Sequence, residues 1–432
     1  MHAPRIPRSV TLRNLFRLAR RPIPVFTEYL DRYGDNFILS ISEARVTHFT
    51  RDAEVARHVL QRNHRNYEKS EIQTGEMGKY LGRGLLTNAG DSWLRQRRLI
   101  QPGFHRRRIE ALQAEMQAVI DDECAGAAEQ PSFDLFRFTR EVAFRIIVRA
   151  IFTRGFGTAD TKRLHYILDE LQAFVIYPIR LPFLRGPLRW TGQEGRHLKL
   201  AHEARNLVRV QLQERRGTRG PAPDDLLQML VDTRYEDTGE PMDDEQLIDE
   251  VLILFAAGYE TSANALAWTL WLLLKHPEEL RKLRDSPDPT YLIQVIEESM
   301  RLYPPAWITD RMALGPDEAG GFTIDEGMTM GLFIYGIHHN PAYYDDPETF
   351  RPDRMHPDRK RERHPFSFLP FGGGPRQCIG NHFAMLEMQL LLRHLIDTYR
   401  LESVGELPEP IPKPFITLHQ DRIVPVRLRS EQ

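Results

Sequence analysis

The chain has 432 residues, and its 58 Lys and Arg nearly balance 60 Asp and Glu, so a net charge of −2 gives no global attraction to nucleic acid. Two cysteines, Cys124 and Cys378, exclude a disulfide scaffold and fit a reducing compartment. No repeat or low-complexity tract divides the chain, and one cytoplasmic domain over residues 1–432 is expected.

Met1 to Arg21 carries six arginines and no apolar run long enough for a signal peptide. It reads as a solvated basic arm, with Leu12, Leu15, Phe16 and Leu18 leaving a membrane-surface helix as the alternative. Ile23 to Tyr33 is predicted helical and closed by Gly34, and Asn36 to Thr50 alternates like a hairpin turning near Ser42 and Glu43. Asp52 to Gln61 is helical, whereas Asn63 to Gly90 reads as a loop able to line a cavity, with Met77, Tyr80 and Leu81 among its apolar points. Amphipathic periodicity then predicts helices at 92–101, 105–127, 134–152, 161–177, 193–215, 224–233 and 243–275. Cys124 keeps register with Ile109, Leu112, Met116 and Ile120, which makes it core. Phe174 to Trp190 is an apolar, proline-broken connector read as a lid, and Arg215 to Asp225 a solvated loop. Strand signals return in Gly321 to Gly336 and in Phe415 to Leu428, the latter turning near Gln420 and Asp421. The expected class is α+β, mainly α, with the β pieces gathered in one small lobe beside a large helical one.

Val251 to Leu274 has a single charged residue in 24, which by hydropathy alone suggests a membrane span. The middle of the stretch, Gly258, Tyr259, Glu260, Thr261 and Ser262, argues against that, because a carboxylate at bilayer centre costs about 2.5–3.5 kcal/mol. A helix apolar nearly all round is instead a buried one. Gly258 weakens it by about 1 kcal/mol relative to Ala, so those residues serve something other than helix stability.

Phe371 to Gly380 reads Phe-Gly-Gly-Gly-Pro-Arg-Gln-Cys-Ile-Gly. Its glycines and proline exclude helix and central strand, and a helical pattern begins at Asn381. Cys378 thus sits just before a helix N-terminus, where thiolate is favoured over thiol. A lone cysteine is commonly a small buried hydrophobe. Here, however, every fixed position resembles the cysteine-ligand signature of the cytochrome P-450 superfamily, Phe-Gly-x-Gly-x-Arg-x-Cys-x-Gly. Ala257-Gly258-Tyr259-Glu260-Thr261 likewise resembles that family's oxygen-activation segment. Glu298 with Arg301, and Phe350-Arg351-Pro352-Asp353-Arg354, resemble its Glu-x-x-Arg and Phe-x-Pro-x-Arg elements, and Trp93 with Arg97 its propionate-holding pair.

The resemblance implies a haem-thiolate monooxygenase with the haem b of the family held between the long helix and the cysteine-loop helix. Cys378 would be the axial iron ligand, with Phe371, Gly372 and Arg376 as cofactor contacts; Trp93, Arg97, Arg376 and, on spacing alone, Arg311 would meet the propionates. Glu260 and Thr261 would deliver protons, and Glu298, Arg301 and Arg354 would form a buried ion network. The family's layout places Phe255, Ala256, Ala257, Trp307, Ile308, Ile416 and Thr417 around a hydrophobic substrate such as a fatty acid, terpenoid or steroid-like molecule, to be hydroxylated or epoxidised. No reductase is fused and no span is present, so a separate ferredoxin or flavodoxin-type donor is expected, docking on the basic patch of Arg95, Arg98 and His105 to Arg108. A peroxide-driven or isomerising haem-thiolate enzyme, or a non-catalytic haem sensor, are the alternatives.

Overall fold

The computed structural model describes residues 1–42, 45–153, 156–217, 222–286 and 288–430. Its contacts group into two compact units. One comprises Met1–Ser70, Trp268–Cys378 and Glu409–Arg422, the other Glu71–Ala267, Ile379–Pro408 and Ile423–Gln432.

The first unit is built on a five-stranded sheet in the order Asn36–Ser42, Arg45–Thr50, Thr329–Leu332, Thr309–Ala313, Tyr67–Glu68. The expected hairpin forms with Phe37 opposite Phe49 and Leu39 opposite Thr47. The turn expected at Glu43 lies outside the described residues. Strand alternation sends neighbours to opposite faces, and here both faces are covered. Phe37 and Leu39 pack with Val25, Phe26, Tyr29 and Leu30 of the helix Pro22–Tyr33. Ile38 packs on the other side with Ala53, Val55, Val59, Met330 and Leu332. The helix Pro22–Tyr33 begins with proline and stops at Gly34, whose φ of +90° is the left-handed conformation glycine allows.

The basic arm is less free than its composition suggests. It folds into short helices, Arg8–Arg13 and Leu15–Arg20, and is fastened by the Ile6 N–H donating to the Ile38 carbonyl at 2.9 Å. Leu12 and Phe16 nevertheless stay 70% and 74% exposed.

The second unit is mainly helical. The expected helices appear at Gly90–Ile100, Leu135–Ile151, Thr158–Arg180, Gln193–Gly217, Leu226–Asp232 and Asp244–Lys275, and the run 105–127 divides at Leu112 into Arg106–Ala111 and Gln113–Ala128. Cys124 is fully buried, and burial pushes its thiol up to about 12, as a core residue requires. The connector is shorter than expected. Helix Thr158–Arg180 runs on through Pro178, burying Phe174, Val175 and Ile176, and Pro182–Leu184 and Arg185–Trp190 form further short helices. Of the loop Arg215 to Asp225, residues 218–221 lie outside the described ones.

Two β expectations need correction. Phe415 to Leu428 is not one hairpin: Pro412–Pro414 pairs with Leu418–Gln420, whereas Pro425–Ser430 joins Tyr399–Ser403 and Phe133–Asp134. Among the described residues the strands make four sheets, three of them in the first unit and the Pro425–Ser430 sheet in the second. Register fidelity in such short strands rests on distant partners that local alternation does not name. Among the described residues no helix is long and apolar enough to cross a membrane.

Candidate active site

The cysteine loop is held by backbone. The Cys378 N–H donates to the Phe371 carbonyl at 2.9 Å, and the Gln377 N–H to the Gly374 carbonyl at 3.1 Å. Gly372 and Gly374 take φ of +70° and +69°, and a Cβ on Gly374 would come within 1.8 Å of the Leu60 carbonyl oxygen. Only glycine closes that turn. The loop leaves the Cys378 side chain exposed. Gly380 then caps the helix Asn381–Thr398, as the periodicity anticipates.

Glu298 and Arg301 are fully buried, not the exposed helix pair their spacing alone suggests. Arg301 donates to both Glu298 oxygens at 2.8 and 2.9 Å and to the carbonyls of His338, Pro347 and Thr349. Arg354 Nε reaches Glu298 Oε1 at 3.0 Å, and the Arg351 N–H reaches the same oxygen at 3.0 Å. Such a network stabilises only when every donor and acceptor is matched, as here. It continues to the cysteine loop through His338, which sequence reading missed. His338 Nδ1 lies 3.2 Å from the Arg301 carbonyl, while its Nε2 accepts from the Leu369 N–H at 2.8 Å. Burial keeps this imidazole well below its ordinary pKa, so it is neutral, with Nδ1 protonated. A histidine inside the apolar run Ile334 to Ile337 and beyond is the only local sign of it.

Arg311 is nearly buried, with the Thr309 hydroxyl and Asp310 carbonyl as side-chain partners. Burial, and then repulsion from Arg376, pulls it down to about 10. Arg376 itself binds Glu68 and donates to the Tyr67 carbonyl at 3.0 Å. Two guanidiniums that oppose each other suit an anionic group placed between them. Together with an exposed thiol presented by a glycine loop, they fit an iron porphyrin bearing propionates.

In the second unit, Trp93 is buried and Arg97 lies one turn on, the same helical face, donating to Gln101 at 3.2 Å. The long helix Asp244–Lys275 has buried side chains through its centre except along Leu254, Ala257, Gly258 and Thr261. Those spacings of three and four define one open face. Glu260, the residue before Thr261, lies off that face and is 3% exposed, and the Thr261 hydroxyl donates to the Ala257 carbonyl at 2.8 Å.

Two of the expected pocket residues are packed among aromatic rings. Phe255 is wholly buried among Phe144, Phe152 and Phe156, because its phase on the helix is away from the open face. Trp307 is also core: its ring packs beside Phe26 and Phe333, and its N–H donates to the Phe415 carbonyl at 3.0 Å. Ala256 is buried, Thr417 is 7% exposed, Ile308 and Ile416 are half-buried, and Ala257 is exposed. The basic patch is partly neutralised: Arg95 pairs with Asp237, Arg106 with Glu110 and Arg108 with Asp224, leaving Arg98 and Arg107 exposed and, among the described residues, without an ion pair.

A mainly helical chain with a braced cysteine loop and facing guanidiniums defines a haem-thiolate class of protein. The family model described as cytochrome P-450 matches residues 4–425, and the chain belongs to that family. Cyclooctat-9-en-7-ol 5-monooxygenase of Streptomyces melanosporofaciens is 31% identical over 413 residues, 90% of this chain and 86% of its own. Cyclooctatin synthase of the same organism is 28% identical, covering 94% of this chain and 92% of its own. The retinoic acid-bound cyanobacterial CYP120A1 shares the fold, with a TM-score of 0.82 at 22% identity over 94% of each chain. The chain is a cytochrome P-450 monooxygenase, and its cofactor is haem b.

Proposed function

We propose that the enzyme places one atom of O2 on a bulky apolar substrate by hydroxylation or epoxidation, taking electrons from a separate ferredoxin- or flavodoxin-type donor. For hydroxylation the balance is substrate C–H, O2, two electrons and two protons giving C–OH and water. Cys378 would ligate the iron through sulfur, and Arg311, Arg376, Trp93 and Arg97 would meet the propionates. Bound haem supplies the activation of O2, which the thiolate ligand promotes.

This chain's residues supply the protons and the surface. The open stripe on the long helix carries the reading: Ala257 and Gly258 leave room, and Thr261 presents a hydroxyl there with Glu260 beside it. A hydroxyl donates one proton at a time and needs resupply, which a neighbouring carboxyl provides through water. The open face of the long helix is apolar at Leu254 and Ala257, and a substrate of largely hydrocarbon character matches it. The relative named for cyclooctat-9-en-7-ol supports that class.

Replacing Thr261 by Ala tests the assignment. With electron supply held constant, hydrogen peroxide released per electron pair should rise and product should fall. Unaltered coupling would favour the peroxide-driven or isomerising alternative.

A further inference from the structure

Around Glu260 is a group of charges that the reading above leaves unused. His165, on the helix Thr158–Arg180, stacks flat on Phe144 of the helix Leu135–Ile151, with centroids 4.1 Å and planes 9° apart. It meets the Tyr259 ring edge-on at 5.3 Å. Its Nδ1 lies 3.7 Å from Glu141 and its Nε2 3.8 Å from Asp169, both too long for hydrogen bonds, and among the described residues the buried Nε2 has no hydrogen-bond partner. Asp169 accepts from the Tyr259 hydroxyl at 2.7 Å and from the Arg140 guanidinium. Arg140 also lies 5.9 Å from the Tyr259 ring centre and is attracted by Glu260 as well as Asp169.

The charges do not balance. Asp169 and Glu260 both draw on the single Arg140 guanidinium while a half-exposed Glu141 lies against His165, with Tyr259 neutral because burial raises its pKa well above the ordinary value. Among the described residues His165 is a further group able to add positive charge here, and each ring nitrogen already lies near a carboxylate. Its environment holds it between two states: burial and Arg140 disfavour the imidazolium, while Asp169, Glu141 and Glu260 favour it, with a net downward shift. When His165 is protonated, Asp169 draws less on Arg140 and more positive field reaches Glu260. When it is neutral, the carboxylates compete for Arg140 alone and an ionised Glu260 costs more.

We propose that His165 is a positioning residue for Glu260, its protonation beside Asp169 and Arg140 setting the charge against which Glu260 ionises and hence the rate at which Thr261 is resupplied. The proposal rests on Glu260 being the acid of that pair. Coupled groups titrate together, so each must move the other's midpoint.

The holoenzyme in its diamagnetic ferrous–CO form, labelled at histidine, allows the His165 ring to be titrated by NMR. Replacing Asp169 by Asn should lower the midpoint by about one pH unit, since an opposite charge within a few ångströms is removed. Glu260→Gln should lower it by a smaller resolved amount. In parallel, His165→Gln and His165→Phe, the latter keeping the stack on Phe144, should flatten the pH dependence of the product-to-peroxide ratio while the ferrous–CO spectrum stays normal. A His165 midpoint unmoved by Glu260→Gln, in a variant that still releases more peroxide, overturns the coupling and leaves the acid assignment standing. If Glu260→Gln leaves the ratio at the wild-type value, the acid assignment itself falls.

Discussion

At the scale of single residues, the buried Glu387 has the plainest consequence for stability. It lies on the helix Asn381–Thr398, fully buried, and among the described residues neither carboxyl oxygen has a well-aligned hydrogen-bond partner, with the Ser262 hydroxyl nearby. Burial pushes the carboxyl up to about 8 from an ordinary 4.5, with Ser262 partly opposing the shift. The folded state therefore holds this proton more tightly than the unfolded chain. Stability from this group is complete below about 4.5 and is lost as pH rises towards about 8, at up to about 1.4 kcal/mol per unit. Glu387→Gln keeps the shape of the neutral acid and removes that dependence. Urea unfolding should show the variant gaining on wild type between about pH 5.5 and about pH 7.5; a constant difference would mean that Glu387 is already ionised inside. Nothing in the sequence marks this residue, because a single acid in an apolar helix is ordinarily its solvent-facing side. His338 and Arg140 escape sequence reading because their hydrogen-bond partners lie far along the chain.

Elements decide how firmly the cysteine is presented. Gly374→Ala would force a Cβ against the Leu60 carbonyl at a positive φ, and backbone cannot yield as a side-chain tip can. The loop should open, and the variant should lose haem on purification, read as a reduced ferrous–CO band per protein. Gly372, with a similar φ but nothing within 4 Å of an added Cβ, should tolerate Ala better and serves as the control. The ion network beneath behaves differently. Glu298→Gln leaves Arg301 and Arg354 buried without their charge partner, at a cost of about 3–5 kcal/mol by urea unfolding. These two motifs were legible because glycine, proline and charge are rare in cores and the chain spells them contiguously. The same local legibility found nearly every long helix, whose 3.6-residue pattern repeats several times. It failed for Thr309–Ala313 and Tyr67–Glu68, five and two residues long, whose strand state comes from the neighbours they pair with.

Taken as a whole, the molecule has a net charge of −2, so any steering of an electron donor depends on local patches rather than total charge. The sequence suggests a run of cations at Arg95, Arg98 and His105 to Arg108, but folding brings Asp237, Glu110 and Asp224 to three of them. The proximity of Asp237 and Asp224 is invisible in the sequence, since they are more than a hundred residues from their partners. Among the described residues, Arg98 and Arg107 stay exposed without an ion pair. An acidic donor would be attracted mainly by these two, and exposed charges act over about 10 Å at 0.1 M salt. Reversing both, Arg98→Glu with Arg107→Glu, should slow haem reduction several-fold at low ionic strength, with the gap closing as salt rises, because rim charges act on the association rate. Arg95→Glu would also break the pair with Asp237 and the stack on Tyr235, so it mixes folding with docking and is the poorer probe. Stopped-flow reduction by a ferredoxin across a salt series separates these cases. Rates for the double variant that match wild type at every salt concentration would remove this face from the donor's path.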